Sequence, residues 1–481
     1  MLTRRRMLQS LGATLTSTML PMKSQSRPLP ANEIMAALSM YMSAAGGRQF
    51  PDEITEKTKH VILDAVAAMV SGSELPPGRF AIQFARAYKG ERVATVAGSN
   101  VVCGPIEAAL ANGMLAHADE TDDTHPFSQS HPGCAVVPAA LAAGEQFGID
   151  GSRFLRAVAL GYDIGPRVTI TLGRLPYMVA SHRSTHAISG IFGAAAAAGC
   201  AANLNAQQIR WLLSYTAQQA SGLASWQRDT DHIEKAFDFG GMPARSGVTA
   251  ALLVQAGATG VDDVLSGADN FFQAFAPLNQ PELLVEKLGE RYEVTRTSFK
   301  KWTVGAPIQA VLDALEILLQ RTRLDVEQLR QVVVRVATNE AAIVNNREIP
   351  DISLQHLVAV MLVDKTVTFR SAHEKARMQD PAILRHRAKV QLVPDEELER
   401  RMPRREAIVD VVLADGTRLT EHVEAVRGTM ENPMSRADVV AKARDLMTPV
   451  LGAGVCGKLI ERVLGLENVK SVRELRPLLQ R

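Results

Sequence analysis

The sequence predicts a mainly α protein, a large all-helical domain with a smaller α+β domain inserted before its last helices. Three observations predict it. Apolar residues recur at i, i+3 and i+4 in segment after segment from Ala31 to about Asn203. Beyond Phe299 the pattern changes to strand-like alternation in QVVVRVATNEA and AKVQLVPDEE, and on both sides of Asp415-Gly416, a hairpin signal. Helical spacing then returns in SRADVVAKARDLMTPVL. The expected divisions are 31–296 for the first helical part, 297–430 for the α+β domain and 431–481 for a helical return that packs on the first part, with 1–30 set apart.

Taken in order, the chain opens on Thr3-Arg4-Arg5-Arg6-Met7-Leu8-Gln9, which resembles a twin-arginine export signal, followed by SLGATLTSTMLP. That run is too short and polar to span a bilayer, so the expectation is a soluble periplasmic protein; a plain basic start would leave it cytoplasmic. EIMAALSMYMSAA and TEKTKHVILDAVAAMVSG are amphipathic helices ending near glycine, and GRFAIQFARAYKG continues the pattern. HRSTHAISGIFGAAAAAGCAANL has almost no large side chains between Gly193 and Ala202, so helices can approach it closely at the centre of the domain. Helices resume from Gln207 to Gly260, with KAFDFGGMPAR (235–245) as a turn-rich polar interruption. ISLQHLVAVMLVD supplies the helix of the α+β domain.

Composition narrows the function. With 53 basic and 51 acidic residues the net charge is +2, which gives no electrostatic case for nucleic acid or an anionic membrane as partner. Cys103, Cys134, Cys200 and Cys456 are widely spaced and contain no C-x-x-C pair, so they read as small buried side chains.

The stretch that stands out is His117–Gly133, HADETDDTHPFSQSHPG, between two apolar helical segments. It holds three histidines, four carboxylates and four hydroxyl residues, far more than one or two helix caps require. Buried between helices, such a loop costs desolvation unless its groups are paired or used.

The order of motifs resembles the MmgE/PrpD family. The resemblance is carried by ANGMLAHADETDDTHPFSQSHPG (111–133), GYDIGPRV (161–168), STHAISGIFGAAAAAG (184–199), KAFDFGGMPARSGVTAALLVQAGATG (235–260), KKWTVGAPIQAVLDAL (300–315) and SLQHLVAVMLVD (353–364). It implies a helical domain built from both chain ends, an α+β lid, a homodimer, and a site between domain and lid. That site acts on small polycarboxylates without metal or organic cofactor. By position it implies Glu120 (where relatives usually have Asp), Thr124, His131, Lys235, and Lys300 or Lys301; His356 aligns with a lid aromatic. Three departures stand out: Ser184 where relatives place histidine, with His186 two residues on; Val304-Gly305-Ala306 where Cys or His is usual; and His356 where many have Tyr.

The family's chemistry moves a proton on carbon next to a carboxylate. Histidine suits that task with little tuning, which makes His131 the first choice of base and His186 the second. Lys235, Lys300 and Lys301 would neutralise carboxylates and the enediolate-like intermediate, and Arg245 and Arg183 could supply bidentate contacts. Glu120 and Thr124 would share a face only if the preceding helix extends to them; they are assigned to orienting His131 or binding substrate. Asp122, Asp123 and His125 are expected to stabilise the loop, and His356 to donate a proton or grip a distal carboxylate. The expected activity is a cofactor-free lyase, dehydration first, then decarboxylation or epimerisation. Two rivals remain: a metal-dependent hydrolase using His117, Asp119, Asp122, His125 and His131, and a non-catalytic periplasmic carboxylate binder.

Overall fold

The computed structural model describes residues 31–276, 279–322 and 324–481; the twin-arginine-like segment lies outside the described residues. The fold is mainly α. Helices α1 (Ala31–Ser43), α2 (Asp52–Gly72), α3 (Pro76–Ala87) and α4 (Pro105–Ala116) lead to the central loop, and α5 (Gly133–Phe147) follows it. Next come α6 (Gly151–Leu172), α7 (Arg174–Ser181), α8 (Thr185–Ala201) and α9 (Ala206–Gln219). A short hairpin, β1 (Ala94–Thr95) with β2 (Val102–Cys103), interrupts the helical run where none was expected. Its Thr95 is tied to the buried Glu145 carboxylate through both backbone and side chain, at 2.6 and 2.7 Å.

Helix ends follow their chemistry. Proline opens α3 and α4, where a missing N–H costs nothing. Ser184 caps α8 by accepting from the Ala187 amide, and Asn205 caps α9 in a capping box. The small residues of α8 act as expected, since a Cβ at Gly161 on α6 would stand 2.7 Å from the Gly193 carbonyl oxygen. Backbones this close leave no room for a side chain.

Two large apolar cores form among the described residues. One runs from Ile34 to Phe299 and is completed by Met434–Leu479 from the C-terminal end. The other is made by residues from Trp302 to Val426. The C-terminal helical stretch Arg436–Leu464, capped by Ser435 and broken by a kink at Gly452 (φ 75°), packs along α2. Its Lys442 donates to Asp64 at 2.6 Å and to the Thr121 carbonyl at 2.8 Å, pinning the central loop from behind.

The second core is built on a four-stranded sheet in the order β4-β3-β5-β6: β3 (Leu329–Ala337), β4 (Val390–Asp395), β5 (Ala407–Leu413) and β6 (Arg418–Val423). β3 pairs parallel with β4 and antiparallel with β5, and β5 with β6. The alternation in QVVVRVA puts Val332, Val334 and Val336 fully into the core. The Asp415-Gly416 turn closes the β5–β6 hairpin, with Gly416 at φ 89°. No described helix is long and apolar enough to cross a membrane.

Candidate active site

The central loop is almost entirely buried: His117, Thr121, Asp122, His125 and Ser128 have no exposed surface, and Asp119, Glu120 and Asp123 have 7% or less. Most buried polar groups are paired; apart from Asp119, which accepts from the backbone and hydroxyl of Thr121, those of the loop fall into three sets. His125 faces Ser128 at 2.8 Å and Glu293 at 3.2 Å. Asp123 accepts from Tyr162 at 2.5 Å and from the Gly133 amide at 3.0 Å; burial pushes its carboxyl up to about 7. These two sets shape the loop and its entry into α5.

The third set gathers the histidines around one carboxylate. One oxygen of Asp122 lies 3.0 Å from His117 Nδ1 and 3.2 Å from His131 Nδ1. A carboxylate on Nδ1 fixes ring and tautomer and turns Nε2 into the acceptor. His131 Nε2 has no hydrogen bond among the described residues. Its ring lies 5.1 Å from that of His117 and 5.3 Å from that of His186, while His186 stacks on Phe239 at 3.9 Å. His232 completes the group, 5.2 Å from His117.

Glu120 faces the two cations. Lys235 donates to it directly, and Lys300 Nζ stands 3.6 Å from Glu120 and 3.8 Å from Asp122. Burial works against ionising both acids. Lys235 and Lys300 nevertheless hold the Glu120 carboxyl well below the usual range, and His117 and His131 do the same for Asp122. Burial takes the His131 imidazole down to about 4 against the pull of Asp122, and His232 down to about 3. It also holds His186 well below the ordinary value, with His131 and Lys235 adding to the effect. His131 is therefore a neutral acceptor at pH 7, but a weaker base than its residue type suggests.

Lys235 reaches this place through backbone geometry. KAFDFGG is not a loop: the short helix Ile233–Ala236 runs through a π turn, Phe237–Gly241, into the helix Met242–Gln255. Turns of this kind are frequent at functional sites. Gly240 meets Gly113 of α4 backbone to backbone, and a Cβ at Gly113 would stand 2.5 Å from the Gly240 carbonyl carbon.

The MmgE/PrpD N-terminal domain matches residues 36–284, and the MmgE/PrpD C-terminal domain matches residues 302–466. The chain belongs to the MmgE/PrpD family. Among curated relatives, it is 24% identical to the cis-aconitate decarboxylase-like protein oryM of Aspergillus oryzae, over 93% of this chain and 97% of that one. It is 25% identical to a cis-aconitate decarboxylase of Aspergillus terreus, over 89% of this chain and 92% of that one. The human cis-aconitate decarboxylase is also 25% identical, over 89% of this chain and 91% of that one.

Of the residues expected from the MmgE/PrpD resemblance, the structure gathers Glu120, His131, His186, Lys235 and Lys300. His186 arrives because α8 begins at Thr185, so the ring projects from the first helical turn. Ser184 instead donates to Asp238 at 2.5 Å.

The other expected residues lie elsewhere. α4 stops at Ala116, so Glu120 and Thr124 share no helix face. Thr124 pairs with Ser298 through its backbone and lines a cleft with Lys300, Arg404 and Arg405. Lys301 turns away to Glu316, 2.6 Å off, and lies over Trp302. Arg183 stacks on Phe275 at 4.3 Å, and Arg245 has no side-chain ion pair among the described residues. His356 is fully buried in the second core with neither ring nitrogen bonded, and its charged neighbours are Arg387 and Arg377. The helix Leu354–Asp364 packs its length into that core, which keeps His356 from the cluster.

The five residues of the metal-hydrolase alternative also separate: Asp119 and His125 bond to other partners, leaving His117, Asp122 and His131 together.

Two residues beside the cluster carried no motif signal. His232 sits just ahead of the Lys235 helix. His373, from the second half of the chain, places Nε2 2.9 Å from Asp119 and 3.9 Å from Asp351.

Proposed function

We propose that the chain is a lyase acting on a small di- or tricarboxylate, and that it works at the carbon next to a carboxylate. The observation that carries this reading is the pairing of an Asp122-oriented imidazole, His131, with the ammonium groups of Lys235 and Lys300 around one buried loop. Removing a proton from such a carbon, or losing carbon dioxide from it, leaves an electron pair that delocalises into the remaining carboxylate. Lys235 and Lys300 would offset that charge in a water-poor site, where such stabilisation is strongest. His131 Nε2 would take the proton in the abstraction step, and after loss of carbon dioxide the carbanion would draw its proton from the ammonium group of Lys235 or Lys300. A substrate carboxylate would compete with Glu120 for Lys235.

The relatives' names move decarboxylation of an unsaturated tricarboxylate ahead of dehydration. Dehydration and epimerisation share the same first step and stay in the test. The protein is incubated in D₂O with a panel of di- and tricarboxylates that includes cis-aconitate, and deuterium uptake and carbon dioxide release are followed. The expected result is turnover of at least one acid, lost in His131→Ala. Turnover that survives in His131→Ala would move the base elsewhere, with His186 next to hand. No uptake or release with any acid would refute the lyase reading.

A further inference from the structure

On the lyase reading, on which this rests, we propose that Trp226 binds substrate from outside the central loop, its indole N–H donating to the carboxylate that Lys235 holds. The chain has three tryptophans. Trp211 Nε1 donates to Asp262 at 3.1 Å, and Trp302 Nε1 donates to Asp313 at 3.0 Å. Trp226 Nε1 is buried as well, yet it has no acceptor among the described residues. A buried indole N–H usually finds a partner, and one left without an acceptor costs stability. Both of the paired tryptophans give their N–H to a carboxylate oxygen.

The surroundings say where the missing acceptor comes from. Trp226 is half-buried on the short 3₁₀ turn Ala224–Arg228. Its ring meets Phe239 edge-on at 4.7 Å and His186 at 5.4 Å, and Lys235 Nζ lies 5.5 Å from its centre. The segment is fastened on both sides of the indole. The Ala224 amide donates to the His182 carbonyl at 3.0 Å, and Asp229 accepts from the Lys235 amide at 2.8 Å. Trp226 and Lys235 are thus held side by side, while Glu120, the carboxylate paired with Lys235, does not reach the indole. An entering carboxylate has two oxygens, one for the ammonium group and one for the indole N–H, and both donors replace water that it leaves behind. A substrate hydroxyl would carry no charge to draw Lys235 from Glu120, so the ligand class is a carboxylate.

The test reads the indole itself. Full-length protein carrying ¹⁵N-tryptophan gives three indole N–H signals in NMR. That of Trp226 is assigned by its loss in Trp226→Phe, or by elimination from Trp211→Phe and Trp302→Phe if that variant does not fold. Cis-aconitate, citrate and succinate are titrated in turn, and binding is measured in parallel by calorimetry. The expected result is a downfield shift of the Trp226 proton with at least one acid, while the signals of Trp211 and Trp302 stay in place. Trp226→Phe keeps a ring against Phe239 and His186 but has no N–H to give. Its affinity for that acid should fall roughly tenfold or more, with KM rising by a similar factor and kcat changing less. Binding that leaves the Trp226 signal unmoved, or a folded Trp226→Phe that binds as tightly as wild type, would overturn the assignment and leave the lyase reading standing. Absence of binding by all three acids would overturn it too, and the D₂O panel then decides separately whether the lyase reading falls with it.

Discussion

His373→Gln tests how the second half of the chain is fastened to the central loop. In the wild type, His373 Nδ1 lies 2.7 Å from the Phe369 carbonyl oxygen and Nε2 lies 2.9 Å from Asp119, whose other contacts are the backbone and hydroxyl of Thr121. The remaining acid facing the ring is Asp351, 3.9 Å away, whose own carboxyl burial raises to about 6. Burial disfavours the imidazolium, but Asp119 and Asp351 outweigh it and take His373 up to about 9 from its ordinary 6.5. A tenfold gain in proton affinity corresponds to about 1.4 kcal/mol, so the charged pair contributes on the order of 3 kcal/mol. The native-state value is raised, so this stabilisation is fully present below pH 6.5 and is lost as pH climbs through 9.

Other groups titrate in the same range, among them Lys57, which burial brings down to about 8. The measurement is therefore a difference: urea midpoints of wild type and His373→Gln at about pH 6.5 and about pH 9.5, with the His373 ring followed by NMR. The wild type should be the more stable protein at the lower pH, and the gap should close at the higher one. A gap that does not change with pH, or a ring titrating at or below the ordinary histidine value, would refute this account of the pair.

Three further outcomes are expected. Lys442→Met leaves Asp64 buried without its counter-ion and should cost about 3 kcal/mol in denaturant unfolding, with partial recovery in the double variant Asp64→Asn/Lys442→Met; a loss under about 0.5 kcal/mol would count against a tightly fastened loop. Gly113→Ala forces α4 from the Phe237–Gly241 turn and should lower the melting temperature through a strain of about 1–3 kcal/mol, with turnover falling alongside because Lys235 and Phe239 ride on that turn; unchanged melting and turnover would show the contact to be slack. His356→Leu removes a buried ring with two unbonded nitrogens, so stability should hold or rise by about 1 kcal/mol and turnover should stay close to wild type. A collapse of turnover in folded His356→Leu would return that residue to the reaction.

The helices and the sheet were legible because period 3.6 and period 2 both mark buried faces, and both faces are buried here. The cluster was legible where residues lie in motifs, as for Glu120, His131, Lys235 and the Lys300-Lys301 pair. Sequence could not separate Lys300 from Lys301. That choice depends on Glu316, fifteen positions on, which draws Lys301 outward. FDFGGMP reads as a break because its residues disfavour helix. The structure carries a helical turn through it because Gly240 must meet Gly113. His232 and His373 were missed because each is a lone histidine with no spacing to a partner, and only the folded chain brings them beside the loop.

The arrangement also explains why so polar a loop can be buried. Glu120 and Asp122 bring two negative charges, Lys235 and Lys300 two positive ones, and the paired acids keep their charge while burial keeps His131, His186 and His232 neutral. With the charges matched, the cluster avoids the large cost of an isolated buried ion. The same balance constrains function. An entering dicarboxylate adds two negative charges and must draw Lys235 or Lys300 from Glu120 or bring protons to the histidines. The two routes act on different residues, the first on Glu120 and the second on His131. The loop held by these pairings is thus also a place where one bound anion would shift several charges at once.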